Sequence, residues 1–253
     1  MNGSWPSATP NSGASELYVA EQFAMSTADA LAQADARGVG DLVTHGERGI
    51  DITYLPFVLL PDDGGPRRLS SHVARTNLQW QDEGPATWVV HGPDSYLSPE
   101  LVPPQPQPQR LPTVPTWNYV VVHLRGRLVA HHDAEWKLQS LRDLTARHEP
   151  KWRLENGPVS AIERMLPALV GIELIIDEVI GKAKLSQNRS SHDLQSIASA
   201  LAEDGHSPET AEVMRRLALP YISAREQRVR QARELQLRRK GSPDSAKIDD
   251  RAD

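Results

Sequence analysis

Asp41-Leu42-Val43-Thr44-His45-Gly46-Glu47-Arg48-Gly49-Ile50-Asp51-Ile52-Thr53-Tyr54-Leu55-Pro56-Phe57-Val58-Leu59-Leu60 places two β-rich runs on either side of a polar turn. Strands are expected over 41–45 and 50–60, with the glycines at 46 and 49 supporting the reversal. Further short strands are expected over 68–74, 86–92 and 95–99, and Pro61-Asp62-Asp63-Gly64-Gly65-Pro66 reads as another turn. A succession of this kind predicts an antiparallel sheet that closes into a barrel.

Upstream, residues 1–16 are rich in Ser, Pro, Asn and Gly and are expected to be disordered. Ser26 suits the N-cap of an Ala-rich helix reaching about residue 36, and Gly38 suits its stop. Downstream, Pro103, Pro104, Pro106, Pro108, Pro112 and Pro115 follow Pro99. Proline donates nothing to a sheet ladder, so this is an extended loop bordering the barrel mouth, the alternative being a proline-rich partner motif. A long strand over 118–130 is expected to bend at Gly126. Trp136, Leu138, Leu141, Leu144 and Ala146 give 134–149 a helical face. A helix over 160–166, a last strand over 169–176 and helices over 190–202 and 208–219 follow, with Pro220 as a break.

The chain has 253 residues and no cysteine, which excludes disulfides, thiolate nucleophiles, zinc-thiolate and iron–sulfur sites and haem-thiolate chemistry. No apolar run approaches the ~18 residues of a spanning helix, and the N-terminus lacks a secretory pattern. The reading is a cytoplasmic protein with no membrane role. Net charge is −5, but residues 215–240 hold nine Arg or Lys against Glu226 and Glu234. That run reads as a solvated helical tail or as a contact for DNA or another anionic surface.

Walker, Rossmann, metalloprotease and nucleophile-elbow motifs are all absent. His131 and His132 read as surface residues and His148 as a helix-end cation; His192 and His206 carry no signal. His72, His91 and His123 fall within strands, where a hydrogen-bonded packing role is the ordinary one. His72 stands out because Ser71-His72-Val73-Ala74-Arg75-Thr76-Asn77 gathers groups able to grip a phosphate and leave an imidazole nitrogen for a metal. Lys184-Leu185-Ser186-Gln187-Asn188-Arg189 is a second polar cluster, with two candidate anion binders.

With Tyr18-Val19, Phe23, Leu55-Pro56-Phe57, Gly92-Pro93-Asp94-Ser95-Tyr96-Leu97-Ser98-Pro99, Val114-Pro115-Thr116-Trp117-Asn118-Tyr119 and Val170-Gly171-Ile172-Glu173, these two clusters resemble the PaiB family, described as flavin-binding negative transcriptional regulators. The resemblance implies an α+β fold: an FMN-binding split β-barrel like the pyridoxamine-phosphate oxidases, with peripheral helices and a C-terminal helical extension. It implies a homodimer with the cofactor at the subunit interface. The expected division is a disordered tail (1–16), the barrel domain (17–204), a basic helical extension (205–240) and a second disordered tail (241–253).

Three functional readings follow. In the first, FMN is held by Arg75, Lys184 and Arg189, with Ser98, Thr116 and Asn188 as hydrogen-bonding groups and Asn77, Trp117 and Gln187 also in the site, and the basic tail contacts DNA. In the second, some relatives being haem enzymes that join two nitrogens as in piperazate synthesis, haem b is ligated by His72 with Tyr54 or Lys184 opposite; ferric iron then activates an N-hydroxylated amine. Two departures motivate a third, cofactor-free binding or scaffold protein: Tyr54 replaces a family histidine, and 100–109 replaces a family Trp-Tyr-Pro stretch.

Overall fold

A computed structural model describes residues 18–102, 114–203 and 207–240. The two tails expected to be disordered, most of the proline-rich stretch and the boundary expected at 204–205 lie outside these residues.

The first helix, α1 (Thr27–Arg37), begins where the Ser26 hydroxyl accepts the Asp29 N–H at 3.1 Å and ends at Gly38, whose φ of 63° is left-handed. The sheet strands are β1 (Val39–Gly46), β2 (Gly49–Pro56), β3 (Val58–Leu59), β4 (Arg68–Ala74), β5 (Gly84–Leu97), β6 (Thr116–His131) and β7 (Leu169–Lys184). They pair antiparallel in the order β2-β1-β5-β6-β7-β4-β3. β2 and β3 therefore lie at opposite edges of the sheet while only Phe57 separates them in the chain. That continuity curls the sheet into the expected split barrel. The single strand expected over 50–60 is broken at Phe57, whose N–H donates to Gly38 O at 2.8 Å. Its ring is fully buried edge-on to Trp88, with centroids 5.5 Å apart.

Polar side chains stitch the seam. Ser71 donates to Pro56 O at 2.6 Å, Asn77 to Thr53 Oγ1 at 3.0 Å, and the Gln79 amide to Leu42 O and Asp51 O at 2.9 and 3.1 Å. Inside, Leu42, Trp88, Val90, Val122, Leu124, Ile172 and Leu174 fill the barrel with the alternation a one-sided sheet requires.

Two strands are longer than the sequence pattern suggests. The segments expected over 86–92 and 95–99 form one strand with a bulge between His91 and Asp94. β7 runs eight residues past Ile176, because a register shift opposite Arg125 and Gly126 carries the polar Asp177 and Glu178 through the ladder. Gly126 is required at that shift: a Cβ there would collide with the Ile175 carbonyl oxygen.

Helix α2 (Ala134–His148) packs on β4 and β7, and α3 (Val159–Met165) leads back to the sheet. Helices α4 (Ser191–Glu203), α5 (Pro208–Val213) and α6 (Leu219–Lys240) close the far end of the barrel. Leu97, Val120, Ala183 and Leu185 share a second core there with Leu194, Ile197, Met214 and Ile222. Pro220 does not break the chain's last helix. It is the second residue of α6, directly after a wide π turn, Met214–Ala218, that displaces the hydrogen-bond ladder where proline lacks its N–H. Beyond Glu226, α6 is exposed on all sides through Arg238. No helix among the described residues is long and apolar enough to cross a membrane.

Candidate functional site

Alternation along β5, β6 and β7 turns one set of side chains into the barrel and the other onto its outer face. On that outer face Tyr119 lies opposite Lys184, and both Lys182 Nζ and Lys184 Nζ stand over its ring, 5.4 and 6.0 Å from the centroid. Lys184 also donates to Thr116 Oγ1 at 2.9 Å. Two residues from Tyr119, the Trp117 indole donates to Asp94 Oδ1 at 2.8 Å, and its ring tilts against Tyr96 with centroids 6.0 Å apart. The bulge beside Asp94 opens a hollow of about 370 Å³ lined by His91, Gly92, Asp94, Trp117, Tyr119 and Val121, with Val120 behind. Gly92 is needed in its floor, since a Cβ would approach Val120 Cβ to 2.8 Å.

The face carries charges of both signs, with Lys182, Lys184 and Arg125 set among Asp41, Asp94 and Glu178. Arg125 pairs with Glu178 at 3.2 Å, and His91 Nε2 lies 3.3 Å from Asp41 Oδ2. Burial, then the neighbouring Arg125, His91 and Lys182, hold the His123 pKa below its ordinary value. Next to these groups, the outer face of β2 exposes Ile50, Ile52 and Tyr54, each at least 60% accessible. Two lysines, a hydroxyl and two aromatic rings thus stand together, groups whose chemistry suits a planar molecule bearing an anionic group.

Of the residues expected to form one site, Thr116, Trp117 and Lys184 meet here. Ser98 follows β5 and caps the turn Pro99–Leu101, its hydroxyl accepting the Glu100 N–H at 3.2 Å. After β7 the turn is held by Gln187, whose amide donates to Ala183 O at 2.5 Å and accepts the Leu185 N–H at 2.8 Å. Asn188 is exposed. Burial lowers the Arg189 pKa and Asp193 opposes that effect, while Arg225 of α6 donates to the carbonyls of Gln187 and Arg189.

The other group lies elsewhere. His72 sits on β4 opposite Gly171 of β7, thirteen residues from Lys184 along the strand, roughly 40 Å of extended chain. Its Nδ1 is buried with no hydrogen-bond partner, and burial lowers its pKa, so the imidazole is neutral at pH 7. Arg75 donates to Pro167 O and Leu169 O at 2.7 and 3.3 Å, which fixes the start of β7. Asn77 is occupied at the barrel seam, and Tyr54 is exposed on β2. Within one chain, then, the expected site is two half-sites.

His132 is exposed as expected, but His131 is not a free surface residue. It stacks on Trp136 with centroids 4.0 Å apart and lies 3.1 Å from Glu173. Tyr119, Lys182, Asp94 and the two histidines of the outer face were not marked by sequence reasoning as site residues. The usable signal was the two-residue spacing of Trp117 with Tyr119 and of Lys182 with Lys184, hidden because the last strand was expected to stop at Ile176. No group of three or more His, Asp or Glu among the described residues forms a metal cage.

Comparisons with known proteins agree with this architecture. The chain is 26% identical over 212 residues to protease synthase and sporulation protein PAI 2 of Bacillus subtilis, covering 78% of this chain and 96% of that protein. It is 30% identical over 120 residues to the Saccharomyces cerevisiae protein YKL070W, covering 46% of this chain and 70% of that one. The flavocytochrome Anf3 of Azotobacter vinelandii has a similar fold, with a TM-score of 0.53 at 18% identity over 69% of this chain and 76% of that structure. Residues 17–178 match the family described as "Putative FMN-binding domain", and the chain belongs to that family, as its PaiB-like motifs indicated.

Proposed function

We propose that the chain is a PaiB-like flavoprotein that binds FMN on the outer face of β5, β6 and β7. The observation that carries this is the bracketing of Tyr119 by Lys182 and Lys184, with Thr116 and Trp117 alongside. The lysines and Thr116 would hold the phosphate, with Arg189 supplying further charge from the turn, and Trp117 and Tyr119 would meet the flavin ring. Bound FMN would supply hydride or single-electron transfer. Ile50, Ile52 and Tyr54, exposed on the same sheet, support a homodimer formed face to face. A role in transcription, in the cytoplasm, is supported by Arg228, Arg230, Arg233 and Arg238, all on the exposed part of α6 and suited to DNA phosphates.

The test is titration of the purified protein with FMN, followed by flavin absorbance and fluorescence. Binding that weakens about tenfold in Lys184→Ala, with the circular dichroism spectrum unchanged, is the expected result. Equal affinity in Lys184→Ala and Trp117→Ala would reject the site.

His72 supports a second reading, in which the protein binds haem b. Burial lowers its pKa and so favours the neutral imidazole that iron ligation requires. The chemistry would be nitrogen–nitrogen bond formation on an N-hydroxylated amine. A Soret band on adding haemin that is unchanged in His72→Ala removes this reading.

A further inference from the structure

Ser95 lies on the inner face of β5, opposite Asn118 of β6. It is 6% exposed, and its hydroxyl has no hydrogen-bond partner. The reason is local. Asn118, the cross-strand neighbour, directs both ends of its amide elsewhere: Oδ1 accepts from Ser186 at 3.0 Å, and Nδ2 points to Met214 Sδ at 3.7 Å. A buried hydroxyl in this state is costly unless a further group meets it.

Beside Ser95 is a cavity of about 360 Å³, which shares no lining residue with the hollow on the outer face. Leu101, Ala200 and Leu201 form its apolar wall, and Ser98, Glu100 and Ser207 join Ser95 on the polar side. Glu100 is the acidic residue among its described lining residues; it is exposed and has no ion-pair partner among the described residues. No Lys, Arg or His is among its described lining residues. Ala200, Leu201 and Ser207 lie beyond residue 178, where the family match ends, so this cavity is built by the helices after β7 as much as by the sheet.

We infer that this cavity binds a small organic cation, a primary amine with an aliphatic body. The ammonium donates to the Glu100 carboxylate and to Ser95 Oγ, and the aliphatic part lies against Leu101, Ala200 and Leu201. An uncompensated carboxylate disfavours phosphates and carboxylates, so flavin is excluded from this cavity by charge.

The experiment is calorimetric titration of the full chain with hexylamine, hexan-1-ol and hexanoate at pH 7, with FMN titrated separately. Hexylammonium is expected to bind at least about tenfold more tightly than hexanoate. Glu100→Gln, an exposed substitution that leaves the fold intact, should weaken the amine by about tenfold or more and leave FMN affinity unchanged. Ala200→Phe should abolish amine binding by filling the cavity. The inference is overturned by absence of amine binding to the wild type, by hexanoate binding as tightly as hexylammonium, or by unchanged amine affinity in Glu100→Gln. Because FMN is read in the same proteins, failure here is distinguishable from failure of the flavin site.

Discussion

The Glu226 carboxylate of α6 caps a helix to which it does not belong: its two oxygens accept the backbone N–H and the hydroxyl of Ser191, each at 2.8 Å, at the start of α4. These bonds satisfy orphan donors of α4 and tie the last helix to the turn after β7. They also hold the Glu226 pKa below the usual carboxylate value. A depressed folded-state pKa stabilises the fold above the unfolded carboxylate pKa, and that contribution is lost as pH falls through the folded value. Glu226→Gln should therefore cost about 1 kcal/mol at pH 7. Urea denaturation of both proteins should show the gap shrinking below about pH 4. A gap constant down to pH 3 would contradict the capping role.

His72 gives a pH effect from a base. Burial lowers its pKa, so the unfolded chain takes up the proton first as pH falls below the ordinary histidine value. Stability is then lost as pH drops from about 6.5 toward the folded pKa. His72→Leu removes both the titration and the unpartnered Nδ1. It should be as stable as wild type or more so at pH 7, and its stability should be flatter between pH 7 and 5. Thermal unfolding across that range is the check; a variant less stable at both pH values would show that the imidazole is a packing residue.

Gly126 tests the register shift that lengthens β7. A methyl group there would meet the Ile175 backbone carbonyl, which cannot swing away as a side chain can. Gly126→Ala is expected to destabilise by about 3 kcal/mol or to prevent folding. Gly171→Ala meets the Trp136 ring instead and should cost less. Urea midpoints of the two variants, ranked in the opposite order, would argue against this account of the ladder.

The exposed residues of β2 test association. Ile52→Lys places a charge on the outer face without touching the barrel core, where Ile52 makes no contribution. Sedimentation velocity should show a dimer in the wild type and a monomer in the variant, with the same circular dichroism. A monomeric wild type would remove the homodimer.

Much of the barrel could be read from the chain because its signals are local. Ser26 and Gly38 bound α1, and the 68–74 strand is where β4 lies. The errors arise where a bulge or π turn lets the chain carry residues that usually end an element, as Asp177, Glu178 and Pro220 show. The site was less legible. Motif order places His72 and Lys184 in one family pattern, but nothing in a linear sequence says that β7 holds them at opposite ends. Nor does it show that Arg75, Asn77 and Gln187 are engaged with the chain's own backbone and side chains.

The stitched seam has a bearing on how this protein can meet others. A sheet edge normally invites another strand, because its N–H and C=O groups stand unpaired. Here Ser71 occupies the carbonyl of Pro56, Gln79 that of Asp51, and Asn77 holds the Thr53 hydroxyl between them. With side chains of its own fold engaged along the rim of β2, strand addition from a peptide or a second copy is disfavoured there. Association at β2 is then favoured broadside, through the exposed side chains of the sheet face, where single surface substitutions can change its specificity without disturbing the backbone ladder.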